Sequence, residues 1–212
     1  VVVPLGVISI YFIIIQPIAI GTYCTICLGA ALAMLIMIPF ALDELVAMGQ
    51  FLILNTRRGR PFWRAFFRGD ALPGGGVDKH PGFGDALPAT LASAARGVNL
   101  PWTLLASALI GVWLMFSRVI LGTVPPLADS DHVVGALVVT TAVIAMAEVA
   151  RPLRFINAAF GAWLVIAPWM LGGGETVAKV AGVVAGLALI GLSLPRGPRS
   201  REHYGTWDRY IV

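Results

Sequence analysis

Apolar residues run through this chain in long blocks with few polar interruptions. Six blocks stand out, at 1–20, 23–42, 102–121, 133–150, 155–171 and 177–194. A membrane helix needs about 20 mostly apolar residues to cross ~30 Å of hydrocarbon. The pattern therefore predicts an all-α polytopic membrane protein with about six transmembrane helices. The fifth block is short, and Trp163 and Trp169 give it an interfacial end. Strands are not expected, because open sheet edges cannot sit in lipid and no ten-residue alternation is present.

Turn residues separate the blocks. Gly21-Thr22 leaves almost nothing between the first two, which predicts a tight hairpin. Gly122 to Asp131, with Pro125-Pro126, parts the third and fourth; Arg151-Pro152 parts the fourth and fifth; Gly172-Gly173-Gly174-Glu175 parts the last two. Residues 57–99 form the one long polar segment, with Gly74-Gly75-Gly76 inside it. Four units follow: a helix pair at 1–56, a linker at 57–99, a four-helix membrane module at 100–195 and a tail at 196–212. The first residue, Val1, lies inside an apolar run with no basic region before it. That is not an intact signal peptide, and the expectation is a natural start further upstream.

Composition agrees with the pattern. Of 212 residues, 58% are hydrophobic and 12% charged, about half the roughly 25% charge of a soluble domain. Mean hydropathy is +0.86. These values exclude a disordered chain and make a soluble enzyme a poor fit. The net charge of +4 is explained by topology. Thirteen of the fifteen basic residues fall in the linker, the Arg151–Arg154 loop and the tail; only Arg118 and Lys179 fall towards the other face, near helix ends where they can snorkel. An excess of Lys and Arg marks cytoplasmic segments. The expected setting is a bacterial inner membrane with both termini of this chain cytoplasmic. The partner implied is the lipid bilayer, with no nucleic acid.

The linker carries a second pattern. Pro61 starts a short helix in which Arg60, Arg64 and Arg68 recur every four residues, opposite Phe62, Trp63, Phe66 and Phe67. A basic face against an aromatic face describes an interfacial anchor lying in the headgroup layer. The tail from Tyr204 to Val212 is aromatic and is expected to pack on the membrane surface or on a partner.

The second half repeats itself. Gly111-Val-Trp113-Leu114 matches Gly161-Ala-Trp163-Leu164 at an offset of 50, and His132-Val-Val-Gly135 matches Lys179-Val-Ala-Gly182 at an offset of 47. Each unit reads as a helix hairpin held by close glycine packing, since lipid offers no hydrophobic push between helices. Ala167-Pro168-Trp169 and Asn157 complete the second unit; Ser117-Arg118-Val119 stands in the first. This stretch resembles the SPW-repeat membrane proteins, a resemblance that implies a fold and no chemistry.

Cys24-Thr25-Ile26-Cys27 is the constellation that carries chemistry. Residues three apart share a helix face, so the sulfurs can meet. A helix N-terminus favours the thiolate. Cysteine also serves as a small apolar packing residue, and that reading stands beside the redox one. A zinc site needs about four ligands; His80, His132 and His203 are scattered, so no metal is expected.

Tyr23-Cys24-Thr25-Ile26-Cys27-Leu28 after an apolar helix and a tight outer turn resembles the vitamin K epoxide reductase family. The 11–16 stretch and the 29–42 helix carry the likeness onward. The resemblance implies the last two helices of a redox bundle, with Cys24 as the exchange thiol and Cys27 as the thiol that faces a bound quinone. It also implies a thioredoxin-like periplasmic dithiol partner. The family's shuttle cysteines and first two helices are missing here, so the expectation is an N-terminally incomplete thiol-disulfide oxidoreductase that links dithiol oxidation to quinone reduction. The pair should then face the interior of the first module. The rival expectation is a non-catalytic accessory subunit packed against a larger membrane complex. Remaining polar residues have local explanations: Asp43 and Glu44 end the second helix, Glu148 pairs with Arg151 one turn on, and Asp129, Ser130 and Asp131 cap the fourth helix with His132 in its first turn.

Overall fold

The computed structural model describes residues 2–70, 86–199 and 204–211. It is 78% helical, with no strand among the described residues; an isolated antiparallel bridge joins Val98 to Ala147. The centre of the linker, with Gly74–Gly76, Lys79 and His80, lies outside the described residues, as do Arg201 and His203.

Helix α1 (Val2–Ile15) runs into a π-helical turn, Gln16–Ile20, closed by Gly21 in the left-handed region at φ 77°. Helix α2 (Thr25–Arg57) follows. At 33 residues and 1.5 Å per residue, it is about 50 Å long and outlasts the hydrocarbon layer. The expected stop at Asp43-Glu44 does not occur. Helix formers continue through Leu54, and the chain turns only at Gly59, φ 79°. Helix α3 (Phe62–Arg68) confirms the short linker helix, with Phe62, Trp63, Phe66 and Phe67 all exposed and stacked on one another. A further short helix, α4 (Leu87–Ala94), leads towards the second half.

That half contains α5 (Trp102–Met115), α6 (Ser117–Ile120), α7 (Leu127–Ile144), α8 (Arg154–Met170) and α9 (Thr176–Ser193). The block at 102–121 is broken at Phe116 into α5 and α6. Helix α7 starts six residues ahead of the expected 133. Pro126 occupies its cap position and no side chain caps it, so Asp129, Ser130 and Asp131 lie inside the helix and do not cap it. Proline is well tolerated at a helix start, and an acidic first turn suits the helix dipole. Four segments are long and apolar enough to cross a membrane: α2, α7, the 148–170 stretch ending in α8, and α9. The stretches Pro4–Ile20 and Trp102–Met115 are shorter apolar helices beside them.

Helices α5 and α7 form one hairpin, α8 and α9 the other, and the two pack into a four-helix bundle. Leu114, Val134, Val138, Leu164, Ala185 and Leu189 make its core. Glycines set the crossings. A Cβ on Gly111 would sit 2.7 Å from the Gly135 carbonyl oxygen; one on Gly186 would sit 2.5 Å from that of Gly161. The partner of Gly161 is thus Gly186, where the repeat alignment placed Gly182. A Cβ on Gly182 would meet only ordinary contacts. Counted through the crossing and core residues, the second helices of the two hairpins are related by an offset of 51: Gly135 to Gly186, Val134 to Ala185, Val138 to Leu189. The loops at the far end also join, with the Val124 N–H donating to the Gly173 carbonyl at 2.8 Å.

Helices α1 and α2 pack on each other and against α7. The tail returns to its own chain. A 3-10 helix, Gly205–Tyr210, lies against α2, the Trp207 indole N–H donates to the Val149 carbonyl at 3.0 Å, and the Gln50 amide donates to the Tyr204 carbonyl at 2.8 Å.

Candidate functional site

The turn between α1 and α2 puts Cys24 at the N-cap of α2. Its backbone is extended (φ −89°, ψ 114°), and its sulfur accepts from the Cys27 backbone N–H at 3.4 Å. The cap is therefore a cysteine sulfur in a place where a serine or aspartate oxygen usually sits. Behind it, the Cys24 N–H donates to Oε1 of Gln16 at 3.1 Å. Gln16 is buried, and its side chain also reaches Cys27. The π-helical turn brings that amide under the pair.

Both cysteines are free and exposed. The expectation that they face inward is not met: both lie exposed at the turn of the α1–α2 hairpin, while the adjoining Tyr23 packs against the bundle. A hydrogen bond from the Cys27 thiol, and then the Cys27 backbone N–H, hold the Cys24 thiol below its ordinary range. The arrangement favours thiolate at Cys24, the form that attacks disulfides.

An apolar groove lies further along α2. Residues 24, 28, 31 and 35 share one face of α2 by helical spacing. Leu28, Ala31 and Leu35 line one side of a cavity of about 210 Å³, with Ile13 of α1 opposite and Met115 and Val139 from the bundle. Thr140 is the only polar residue in its lining.

A second, polar feature stitches this hairpin to the bundle. His132 is buried. Its Nε2–H donates to the Ile13 carbonyl at 3.1 Å, and its Nδ1 lies 3.3 Å from the Met115 carbonyl and 3.5 Å from the Tyr23 hydroxyl. Burial pushes the Tyr23 phenol up, so it remains a hydroxyl. Beside it Arg118 pairs with Asp129 at 2.7 Å. His132 is more than a first-turn polar residue: it ties α1, α5 and the residue next to Cys24 together. Among the described residues no group of three His, Cys, Asp or Glu side chains gathers as metal ligands would.

The two glycine crossings and the repeated core decide what the second half is. Residues 101–195 match the SPW repeat domain. The SPW repeat domain thus accounts for the four-helix bundle, and the cysteine hairpin stands outside it. No curated protein and no solved structure matches the chain. Within the SPW repeat domain, Ala167 and Pro168 are buried and Trp169 is exposed. Trp163 donates its indole N–H to the Ser130 hydroxyl at 3.0 Å. Gln16 and His132 are the two site residues that sequence reasoning missed. Their contacts reach across the turn or across more than a hundred residues, and no local pattern announces them.

Proposed function

We propose that the chain is a membrane thiol-disulfide oxidoreductase of the vitamin K epoxide reductase type, set in a bacterial inner membrane with the Cys24 end periplasmic. The observation that carries this reading is the pair itself. An exposed sulfur caps a helix and is held towards the thiolate by its neighbour three residues on, and Leu28, Ala31 and Leu35 of the same helix line an apolar groove further along.

The oxidised pair takes two electrons from a thioredoxin-like dithiol. One partner thiolate attacks Cys24 of the Cys24–Cys27 disulfide, forming a mixed disulfide and releasing Cys27 as thiolate. The second partner thiolate attacks the mixed disulfide, leaving the partner oxidised and Cys24 reduced. A quinone held in the groove beside Leu28, Ala31 and Leu35 would supply the two-electron, two-proton acceptor that lets the Cys24–Cys27 bond re-form. The groove residues suit an apolar ring: Leu28, Ala31 and Leu35 offer no competing hydrogen bonds, and Gln16 holds the turn in place.

Membranes carrying the protein should oxidise a reduced thioredoxin-like dithiol when quinone is added. The Cys24→Ser, Cys27→Ser double variant should abolish that activity. Given the oxidised partner, Cys27→Ser should accumulate a mixed disulfide at Cys24, because the Cys24 thiolate attacks the partner's disulfide and the neighbouring thiol that would release it is gone. Undiminished quinone-dependent oxidation in the double variant overturns the assignment and leaves the accessory-subunit reading, in which the hairpin and bundle pack against a larger membrane complex.

A further inference from the structure

His132 belongs to the SPW repeat domain, yet both edges of its ring meet the cysteine hairpin. The contacts use groups that breaks in two helices leave free. In an unbroken α1 the Ile13 carbonyl would accept from the N–H four positions on. That position is Pro17, which has no N–H. The Nε2–H of His132 donates to the Ile13 carbonyl instead, at 3.1 Å. In α5 the Met115 carbonyl would accept from Val119, but the helix breaks at Phe116 and the Val119 N–H goes to the Phe116 carbonyl. Nδ1 of His132 lies 3.3 Å from that Met115 carbonyl and 3.5 Å from the Tyr23 hydroxyl. Tyr23 also rests on Phe116, with ring centroids 6.1 Å apart.

Two routes lead from this ring to the thiols. Ile13 stands three residues ahead of Gln16, where the π-helical turn begins. The Gln16 amide oxygen accepts from the Cys24 N–H at 3.1 Å, and its side chain reaches Cys27. Tyr23 is the residue before Cys24, whose extended backbone lets its sulfur accept from the Cys27 N–H. One side chain of the bundle therefore grips the turn on both sides of the gap between α1 and α2. The charged groups lining the small cavity beside the ring are Arg118 and Asp129. They pair with each other at 2.7 Å, and Asp131, next along α7, faces Ser117. The imidazole is left to the hairpin.

We propose, resting on the redox reading of Cys24 and Cys27, that His132 is a positioning residue for that pair: through the Ile13 carbonyl and the Tyr23 hydroxyl it holds the turn in which Cys24 caps α2. His132 touches neither thiol and acts through the turn. The SPW repeat domain then has a part in the chemistry, as the frame that keeps the exchange thiol in its cap. An imidazole is needed there for more than its volume. An apolar side chain of similar size would leave the Ile13 carbonyl with no donor from His132 and none from Pro17, and an unpaired buried carbonyl is costly.

Alkylation of Cys24 in the reduced full chain, in nanodiscs and across pH, reads this directly. It is followed site by site by mass spectrometry, with neither quinone nor dithiol partner present. The positioning role can therefore fail while quinone-dependent oxidation stands, or hold where that oxidation is absent. His132→Leu should raise the pH midpoint of Cys24, because a loosened turn gives up the bonds from the Cys27 thiol and backbone N–H that hold it down. His132→Gln sets an amide N–H near the place of Nε2 and should restore most of the original midpoint. Leu164→Ala opens the bundle core, in which no hairpin residue takes part. It should lower the thermal midpoint and leave the alkylation midpoint where it was. Tyr23→Phe keeps the ring and loses the hydroxyl, and should raise the midpoint by a smaller step; it decides the matter if His132→Leu fails to fold. An unmoved midpoint in a folded His132→Leu overturns the proposal, as does an unmoved midpoint in Tyr23→Phe where His132→Leu does not fold. Equal shifts in His132→Leu and Leu164→Ala, or in His132→Leu and His132→Gln, overturn it too.

Discussion

The two halves of this molecule use glycine and burial in opposite ways. In the most apolar stretch of α2 only 17% of residues are buried, against 56% in α7. A Cβ added to Gly29 or Gly49 of α2 would meet nothing within 4 Å, whereas one on Gly111, Gly135, Gly161 or Gly186 would strike a facing backbone carbonyl. The bundle is held by backbone approach, which gives dispersion and weak Cα–H contacts where lipid removes the hydrophobic drive. The hairpin is held along one edge, chiefly against α7 and through His132. The cysteine pair sits on the loosely covered half. Under the proposed function Cys24 must be reached by another protein, and exposure there suits that chemistry, with the tightly packed half as the frame.

The sharpest way to break this comparison is one substitution made in both halves. Gly186→Ala should destabilise the bundle by about 3 kcal/mol, since its new methyl would lie 2.5 Å from the Gly161 carbonyl oxygen and two helices must part to admit it. Gly29→Ala should instead be neutral or stabilising by about 0.5–1 kcal/mol, because alanine restores helix propensity in open space. Unfolding in detergent or by steric trapping reads both. Equal losses in the two variants would mean that the halves are packed alike.

How far this contrast was legible from the residues depends on the range of each interaction. The helices and their breaks were readable, because the bilayer forces apolar blocks into helices. Gly111 and Gly161 were found because Trp113-Leu114 and Trp163-Leu164 repeat beside them. Gly186 was missed because Val-Ala-Gly182 looks more like Val-Val-Gly135 than its true counterpart does. Spacing through the core residues would have located it. The length of α2 was misread because two acids were taken as a stop, although only an isolated Gly49, which a helix tolerates, stands between them and Gly59. Cys24 and Cys27 were visible as a motif. The contacts of Gln16 and His132 depend on which segments meet in three dimensions, and periodicity carries nothing about that.

A second pair of substitutions tests burial directly. Leu164 is 1% exposed in the bundle core and Ile36 is 52% exposed on α2. In lipid the transfer part of a truncation is small, because the unfolded reference is also apolar; the cavity part remains. Leu164→Ala should therefore cost about 2 kcal/mol, near the low end for buried leucines. Ile36→Ala should cost less than about 0.5 kcal/mol. A large loss at Ile36 would show that this face of α2 is covered in the membrane, as the accessory-subunit reading requires.

The smallest effect expected is in the acidity of one thiol, and it sharpens the comparison at its functional end. Cys24 is exposed and held below the ordinary thiol range, chiefly by the Cys27 thiol and next by the Cys27 backbone N–H. A lowered pKa means more thiolate at neutral pH, so alkylation of Cys24 in the reduced protein should have its pH midpoint below the usual ~8.5. Measured on single variants, Cys27→Ala should move that midpoint up, since the largest cause is removed while the backbone N–H stays. Cys27→Ser should move it less, because a hydroxyl can still donate. A cysteine placed in the bundle by Ser117→Cys, at a site 1% exposed, should resist alkylation at any of these pH values. An unshifted midpoint in Cys27→Ala would mean that the helix N-terminus alone sets the acidity of Cys24. The second cysteine would then have no part in activating the first, and the motif would lose the feature that separates a redox pair from two packing residues.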